Sequence, residues 1–299
     1  MNTLKLGMVG LDTSHAKAFC ELLNNADNPF HVPGVQVVRA FPGGNPDLPM
    51  SINRIAQFTE DLRNMGVEIV DSIAALEGLD GYFLESVDGN QHLEQFKELA
   101  KFGKPIFMDK PLACNYEDAK AIVDAAKAAN VPVMTASSIR YAKGIEGCLP
   151  EDAKVYACDA FGPMAFIEGY RDYFWYGIHS AELLFSFMGA GCKTVQTFST
   201  DTVDAVVGVW EDGRIGKLSG NRIGAQNFGC TLTTDKGHVQ ALVDTSVPFY
   251  AMLMKKVVPF FQTLQPAIPL EESLQIIAFL EGVSRSRAQG GALIDITKL

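Results

Sequence analysis

The sequence predicts a two-domain α/β chain: an N-terminal domain built on a parallel sheet with crossover helices, followed by a C-terminal α+β domain with a mainly antiparallel, open sheet. Three observations point to it. From Leu4 to about Pro132, short apolar and β-branched runs alternate with amphipathic helical segments, as they do where parallel strands are linked by helices. Beyond Arg140 the pattern changes to an aromatic and Gly-rich stretch, one helix, a series of strands joined by tight turns, and further helices. A length of 299 residues with 47% hydrophobic and 20% charged side chains is enough for two cores, with no compositional bias toward disorder.

The predicted strands of the first domain cover 5–9, 36–41, 81–84, 105–108 and 131–135. Leu93, Phe96, Leu99 and Ala100 recur at helical spacing, as do Ala119, Ile122, Val123 and Ala126. The second of these helices has a start signal, with Asn115 as N-cap and Glu117 and Asp118 in the first turn, where acids meet the positive helix end. In the second domain, Val203, Ala205, Val207 and Val209 alternate, and Glu211-Asp212-Gly213-Arg214 turns the chain into 215–218, an antiparallel hairpin with one buried face. Residues 181–188 form a helix over one side of that sheet. From about Pro259 the chain is helical again. The expected boundaries are 1–138 and 139–299, with the helices near 265–299 packing back onto the first domain through Leu274, Ile277, Phe279 and Leu280.

Composition excludes several roles. A net charge of −10 without a compensating basic patch argues against nucleic acid. No apolar run approaches the ~20 residues that span a bilayer, and the chain enters a strand at once without an export leader. Six scattered cysteines form no C-x-x-C pair or metal spacing, so the expectation is a reduced, cytoplasmic protein without a metal site.

The first strand ends in Gly10-Leu11-Asp12-Thr13-Ser14-His15 and runs into a helix, the position of the dinucleotide fingerprint G-x-G-x-x-G. Only the first glycine is present, and Asp12 stands at the second. An Asp12 carboxylate facing the phosphates opposes binding, since unit charges ~4 Å apart interact by about 4 kcal/mol at an effective dielectric near 20. An Asp12, Thr13 or Ser14 that caps the helix leaves the site open, with the Thr13 and Ser14 hydroxyls available to phosphate. After the second strand no acid awaits the ribose 2′-hydroxyl, while Arg39, Ser51 and Arg54 are candidates for a 2′-phosphate, so both NAD and NADP remain open.

Farther on, Asp80-Gly81-Tyr82-Phe83-Leu84-Glu85-Ser86 leads to His92, and then comes Gly103-Lys104-Pro105-Ile106-Phe107-Met108-Asp109-Lys110-Pro111. This arrangement resembles the glucose-fructose oxidoreductase and inositol dehydrogenase (Gfo/Idh/MocA) family, whose signature is a strand, a His and a G-K-x-x-x-x-E-K-P run. Here Asp109 replaces the Glu. The resemblance extends through Ser138-Ile139-Arg140-Tyr141, the helix opening Gly177-Ile178-His179, and 285–294.

The resemblance implies an N-terminal Rossmann domain that binds NAD or NADP through Gly10, Leu11, Asp12, Thr13, Ser14, Ser86, His92, Asp109 and Lys110. It places Lys110 beside the nicotinamide and the substrate hydroxyl. A Lys partly withdrawn from water near a positive ring can exchange a proton near neutral pH. The family's second element is a D-x-x-x-H pair. His179 holds the His place, but Trp175 stands where the acid belongs. Arg140, Tyr173, Tyr176 and His179 are the expected substrate contacts. The aromatic segment Tyr170–Tyr176 suits a sugar face and equally a core or a subunit interface. The expected function is hydride transfer between nicotinamide and a secondary alcohol of a sugar, cyclitol or related polyol, by a homodimer or homotetramer. The alternatives are redox-assisted glycoside cleavage with retained NAD, and a non-catalytic ligand sensor or scaffold.

Overall fold

A computed structural model describes residues 3–299. In chain order its main elements are β1 (Leu4–Val9), α1 (Ser14–Asn24), β2 (Val35–Phe41), α2 (Pro49–Asn64), β3 (Glu68–Ile69), β4 (Gly81–Leu84), α3 (His92–Ala100), β5 (Ile106–Met108), α4 (Tyr116–Ala129) and β6 (Val133–Thr135). They continue with β7 (Val155–Pro163), α5 (Asp172–Trp175), α6 (Gly177–Met188), β8 (Cys192–Ser199), β9 (Val203–Trp210), β10 (Ile215–Asn221), β11 (Gly229–Thr234), β12 (Gly237–Leu242), α7 (Phe249–Thr263), α8 (Leu270–Ala288) and β13 (Ile294–Asp295). Two compact units result, one of Met1–Ala136 with Tyr250–Leu270 and the other of Ser137–Phe249 with Glu271–Leu299.

The first unit holds a six-stranded parallel sheet in the order β3-β2-β1-β4-β5-β6, the doubly wound arrangement that places its switch point between β1 and β4. Strands β1, β4 and β5 are wholly or mostly buried, which is why they read as unbroken apolar runs. Asn115 caps α4 as its sequence indicates, its side-chain oxygen accepting from Asp118 N at 2.8 Å. Helix α2 and strand β3 carry weaker signals in the sequence: α2 buries only Ser51 and Leu62, and β3 is two residues long.

Two expectations for the C-terminal helices are corrected. Pro259 lies inside α7 and does not open it. A proline lacks the N–H of an interior helical bond, but Leu253, Met254, Val257, Val258, Phe260 and Phe261 bury one face of this helix and keep the chain helical through it. It is this segment that joins the first unit, with Phe261 5.2 Å from Phe83 of β4 and Tyr250 4.8 Å from His15 by ring centroid. The segment from Glu271 onward belongs to the second unit. There Phe279 of α8 packs edge-on to Phe185 of α6 at 5.6 Å.

The second unit holds a seven-stranded sheet in the order β12-β11-β7-β10-β9-β8-β13. It is antiparallel except between β7 and β10, and the expected hairpin forms with Ile215 opposite Val209. Its core centres on Trp210, which donates from Nε1 to Gly189 O at 2.9 Å and lies 5.4 Å from Phe185. Gly216 on β10 makes room for it, since a Cβ there would stand 2.6 Å from the indole. Among the described residues no helix is long and apolar enough to cross a membrane.

Candidate functional site

In the first unit the candidate residues gather at the carboxyl ends of β1, β4 and β5. Gly10 turns the chain out of β1 with φ +91°, and a Cβ there would stand 2.2 Å from Ser86 N, so only glycine allows the two loops to approach. Gly10 N and Leu11 N donate to Phe41 O and Pro42 O at 3.0 and 2.7 Å, fixing this turn to the end of β2. Thr13 is the N-cap of α1, and its hydroxyl accepts from His15 N at 3.3 Å. Ser14 follows, exposed, in the first helical turn.

Asp12 neither caps the helix nor faces outward. Fully buried, its carboxylate accepts from Ser51 Oγ at 2.6 Å and from Val87 N at 2.9 Å, tying the turn to the start of α2 and to the loop after β4. Burial raises its carboxyl and the two hydrogen bonds oppose that rise. The negative group at the position of the second fingerprint glycine is thereby directed into the protein. An Asp12→Ala variant should lose about 1–3 kcal/mol by urea denaturation, because the buried Val87 N–H and Ser51 O–H would lose the carboxylate that accepts from them.

Ser86, on the far side of the Gly10 turn, is buried, and its hydroxyl has no protein partner. His92 is otherwise occupied. Its ring is fully buried between Ser86 O at 2.8 Å and Leu112 O at 3.2 Å, so it pins two loops together and is not offered to a ligand. Arg39 donates to Ala75 O at 2.7 Å and to Glu77 O at 3.3 Å, and Ser51 is held by Asp12, so neither stands free for a 2′-phosphate.

Asp109 follows β5 directly and is buried. It accepts from Lys110 N at 2.8 Å through Oδ1, and its Oδ2 lies 2.7 Å from His15 Nδ1. Glu85 follows β4, fully buried, beside it. Burial and the Asp109 charge push Glu85 well above the usual carboxylate range, whereas the His15 and Lys110 charges outweigh burial at Asp109 and hold it down. Lys110 is half-buried at the rim of this acidic group. The sequence reading noted neither His15 nor Glu85 as a site residue. Their one signal, a charged or titratable residue just past the end of an apolar strand, is common and becomes specific only when the sheet register sets them side by side.

In the second unit His179 lies in the first turn of α6. Its Nδ1 is 2.7 Å from Ser137 Oγ, and its ring is flanked by Tyr176 at 5.8 Å and Phe228 at 5.5 Å. Ser137 also accepts from Ile139 N at 3.2 Å, an arrangement satisfied when the hydroxyl donates to Nδ1 and Nε2 carries the ring proton. Ser137 thus orients the ring in place of the acid missing at Trp175. It sits 42 residues away, which is why local spacing does not reveal it.

Two expected substrate contacts are committed elsewhere. Arg140 is buried and donates from Nε to Glu182 at 2.9 Å and from Nη2 to Glu272 at 2.7 Å. Burial raises Glu182 even beside this guanidinium, while the two carboxylates keep Arg140 charged against the same burial. Tyr173 is fully buried against Phe166 at 5.2 Å, in the core of the unit.

Residues 50–137 match the family described as "Oxidoreductase family, NAD-binding Rossmann fold" (GFO_IDH_MocA). That match, over 88 of the 299 residues, makes this part of the chain similar to the Rossmann domain of the Gfo/Idh/MocA oxidoreductases. The match begins beyond the Gly10–Ser14 turn, where this chain departs from the fingerprint. An uncharacterized oxidoreductase of Streptococcus pneumoniae is 29% identical over 83 residues, which are 27% of this chain and 23% of that protein. The myo-inositol dehydrogenase of Lactobacillus casei, solved with NAD(H) and myo-inositol, shares the fold at a TM-score of 0.77 and 14% identity over 98% of this chain and 97% of that one. The WlbA dehydrogenase of Bordetella pertussis, solved with NADH and UDP-GlcNAcA, does so at 0.75 and 18% over 98% and 99%. At these identities the likeness is one of fold.

Proposed function

We propose that this oxidoreductase is an NAD-dependent dehydrogenase acting on a secondary alcohol of a sugar, cyclitol or related polyol. The observation that carries the reading is the Gly10 turn. There Asp12 is directed inward, Ser14 is exposed in the first helical turn and the Ser86 hydroxyl has no partner, so the residues present fit a dinucleotide phosphate at the start of α1. Gly10, Leu11, Thr13, Ser14 and Ser86 would hold the coenzyme there. When bound, it supplies the hydride acceptor.

The rest falls to the chain's own side chains. Lys110 takes the proton from the substrate hydroxyl as the carbon loses hydride, and its half-buried place is suited to that exchange. His179, oriented by Ser137, donates from Nε2 to a substrate oxygen, and Tyr176 offers an adjacent ring and hydroxyl. A Ser137→Ala variant is expected to reduce kcat by roughly fivefold, the worth of one hydrogen bond of about 1 kcal/mol, with little change in coenzyme affinity. The substrate class is supported by the polyol and sugar-nucleotide ligands of the two structural relatives.

Because Arg39 and Ser51, two of the three candidates for a 2′-phosphate beside Arg54, are engaged, NAD is favoured over NADP. Calorimetric titration should show NAD(H) binding at least about tenfold tighter, a difference of about 1.4 kcal/mol. Equal binding of the phosphorylated pair, or no binding of either, would reject this assignment. The second-unit sheet exposes Phe198, Val203, Val209 and Ile215 on one face, which supports a homodimer or homotetramer, measurable by light scattering. A ligand-sensing role is favoured only by Trp175 in place of the family acid, and turnover that depends on Lys110 would exclude it.

A further inference from the structure

His15, Glu85 and Asp109 come from three separate segments and meet at the carboxyl edge of neighbouring strands. The meeting is imposed by register. Glu85 N donates to Val9 O at 2.7 Å and Asp109 N donates to Leu84 O at 2.8 Å, so the residues just past β4 and β5 extend the ladder beside the end of β1. One ligand atom from each of the three side chains lies within 4.8 Å of the others, and all three residues are buried. Phe19 stacks on the His15 ring at 5.5 Å and Tyr250 meets it edge-on at 4.8 Å, which fixes the direction of Nδ1 toward the carboxylates.

The second observation concerns Glu85. It is completely buried, and neither of its oxygens has a hydrogen-bond partner. Buried carboxylates are otherwise paired or bound to a metal, since desolvating one alone costs several kcal/mol. Asp109, its nearest charged neighbour in the group, repels it. Without a partner, burial and the Asp109 charge push the Glu85 carboxyl up against the opposing pull of Lys110, and a cation small enough to fit among the three side chains would supply the partner its oxygens lack.

We propose that His15, Glu85 and Asp109 form a binding site for a single divalent transition ion. One imidazole nitrogen with two carboxylates is a donor set of intermediate softness, suited to Zn²⁺ or Mn²⁺ and unlike the all-oxygen shells of Ca²⁺ and Mg²⁺. Metal bonds of about 2.0–2.2 Å set such donor atoms roughly 3–4 Å apart; the three here lie within 4.8 Å of one another, and the 2.7 Å contact between His15 Nδ1 and Asp109 Oδ2 would open to admit the ion. The site needs no residue of the second unit, and it does not depend on the dehydrogenase reading.

The test is equilibrium dialysis of the full chain, stripped with chelator, against Zn²⁺ and separately Mn²⁺ without coenzyme or substrate, with bound metal counted by plasma mass spectrometry. One equivalent is expected, with affinity falling more than about 100-fold in Glu85→Gln and in His15→Gln, since loss of a ligand exceeds the 10–100-fold effect of losing an outer partner. Absence of binding in the wild type would overturn the proposal, as would binding that both variants retain. Should either variant fail to fold, X-ray absorption on the Zn²⁺-loaded wild type decides: one imidazole among oxygen neighbours supports the site, and no imidazole or several would reject it.

Discussion

Replacing Lys110 with alanine is expected to lower turnover by about 10²–10⁴-fold, the range for removal of a general acid or base, while NAD affinity changes only a few-fold. The separation follows from position. The residues proposed to hold the coenzyme phosphates belong to the β1–α1 turn and the start of the β4–α3 loop, whereas Lys110 follows β5 and is linked to that turn through Asp109 and His15. Lys110→Arg should not restore activity, since a guanidinium stays protonated across the working pH range. Steady-state rates with a polyol and keto-sugar panel, beside a coenzyme titration of the same samples, would check this. Unchanged turnover in Lys110→Ala would remove the proposed chemistry, and loss of coenzyme binding alone would make Lys110 a binding residue.

The second large effect concerns stability. Arg140→Ala should destabilise the second unit by about 3–5 kcal/mol, because Glu182 and Glu272 would be left in the interior without their countercharge. Replacing the guanidinium and both acids together with apolar residues of similar size should recover most of that loss. Chemical denaturation of the single and triple variants measures both. If Arg140→Ala kept wild-type stability and raised KM instead, Arg140 would return to the substrate-contact role that its place in the sequence first implied.

These expectations draw unequally on sequence and structure. Five parallel strands, the capped helix α4 and the β9–β10 hairpin are legible because each is encoded over a few neighbouring residues by periodicity and turn chemistry. Helix α7 is less so, since Pro259 gives a strong local stop signal that the burial of six apolar side chains overrides. The Lys110 neighbourhood is recognisable from a contiguous run, as is His179 from its place at the start of α6.

Side-chain partners across the chain were settled only by tertiary structure. Asp12 reads as an obstacle to phosphate until Val87, 75 residues on, is seen to hold it. Arg140 reads as a substrate contact until α6 and α8 bring two carboxylates to it, and His179 reads as a ring without its acid until Ser137 is found against it. The sequence by itself determined most of the order of strands and helices, the oxidoreductase resemblance and many of the residues that bear chemistry, because those are properties of short stretches. Which of those residues face a ligand and which are tied into the interior depends on where distant charges and hydrogen-bond acceptors end up. The buried group of His15, Glu85 and Asp109 is the clearest case, existing only because the parallel strands bring two residues at strand ends and one in the first turn of α1 together, though the chain keeps them up to 94 positions apart.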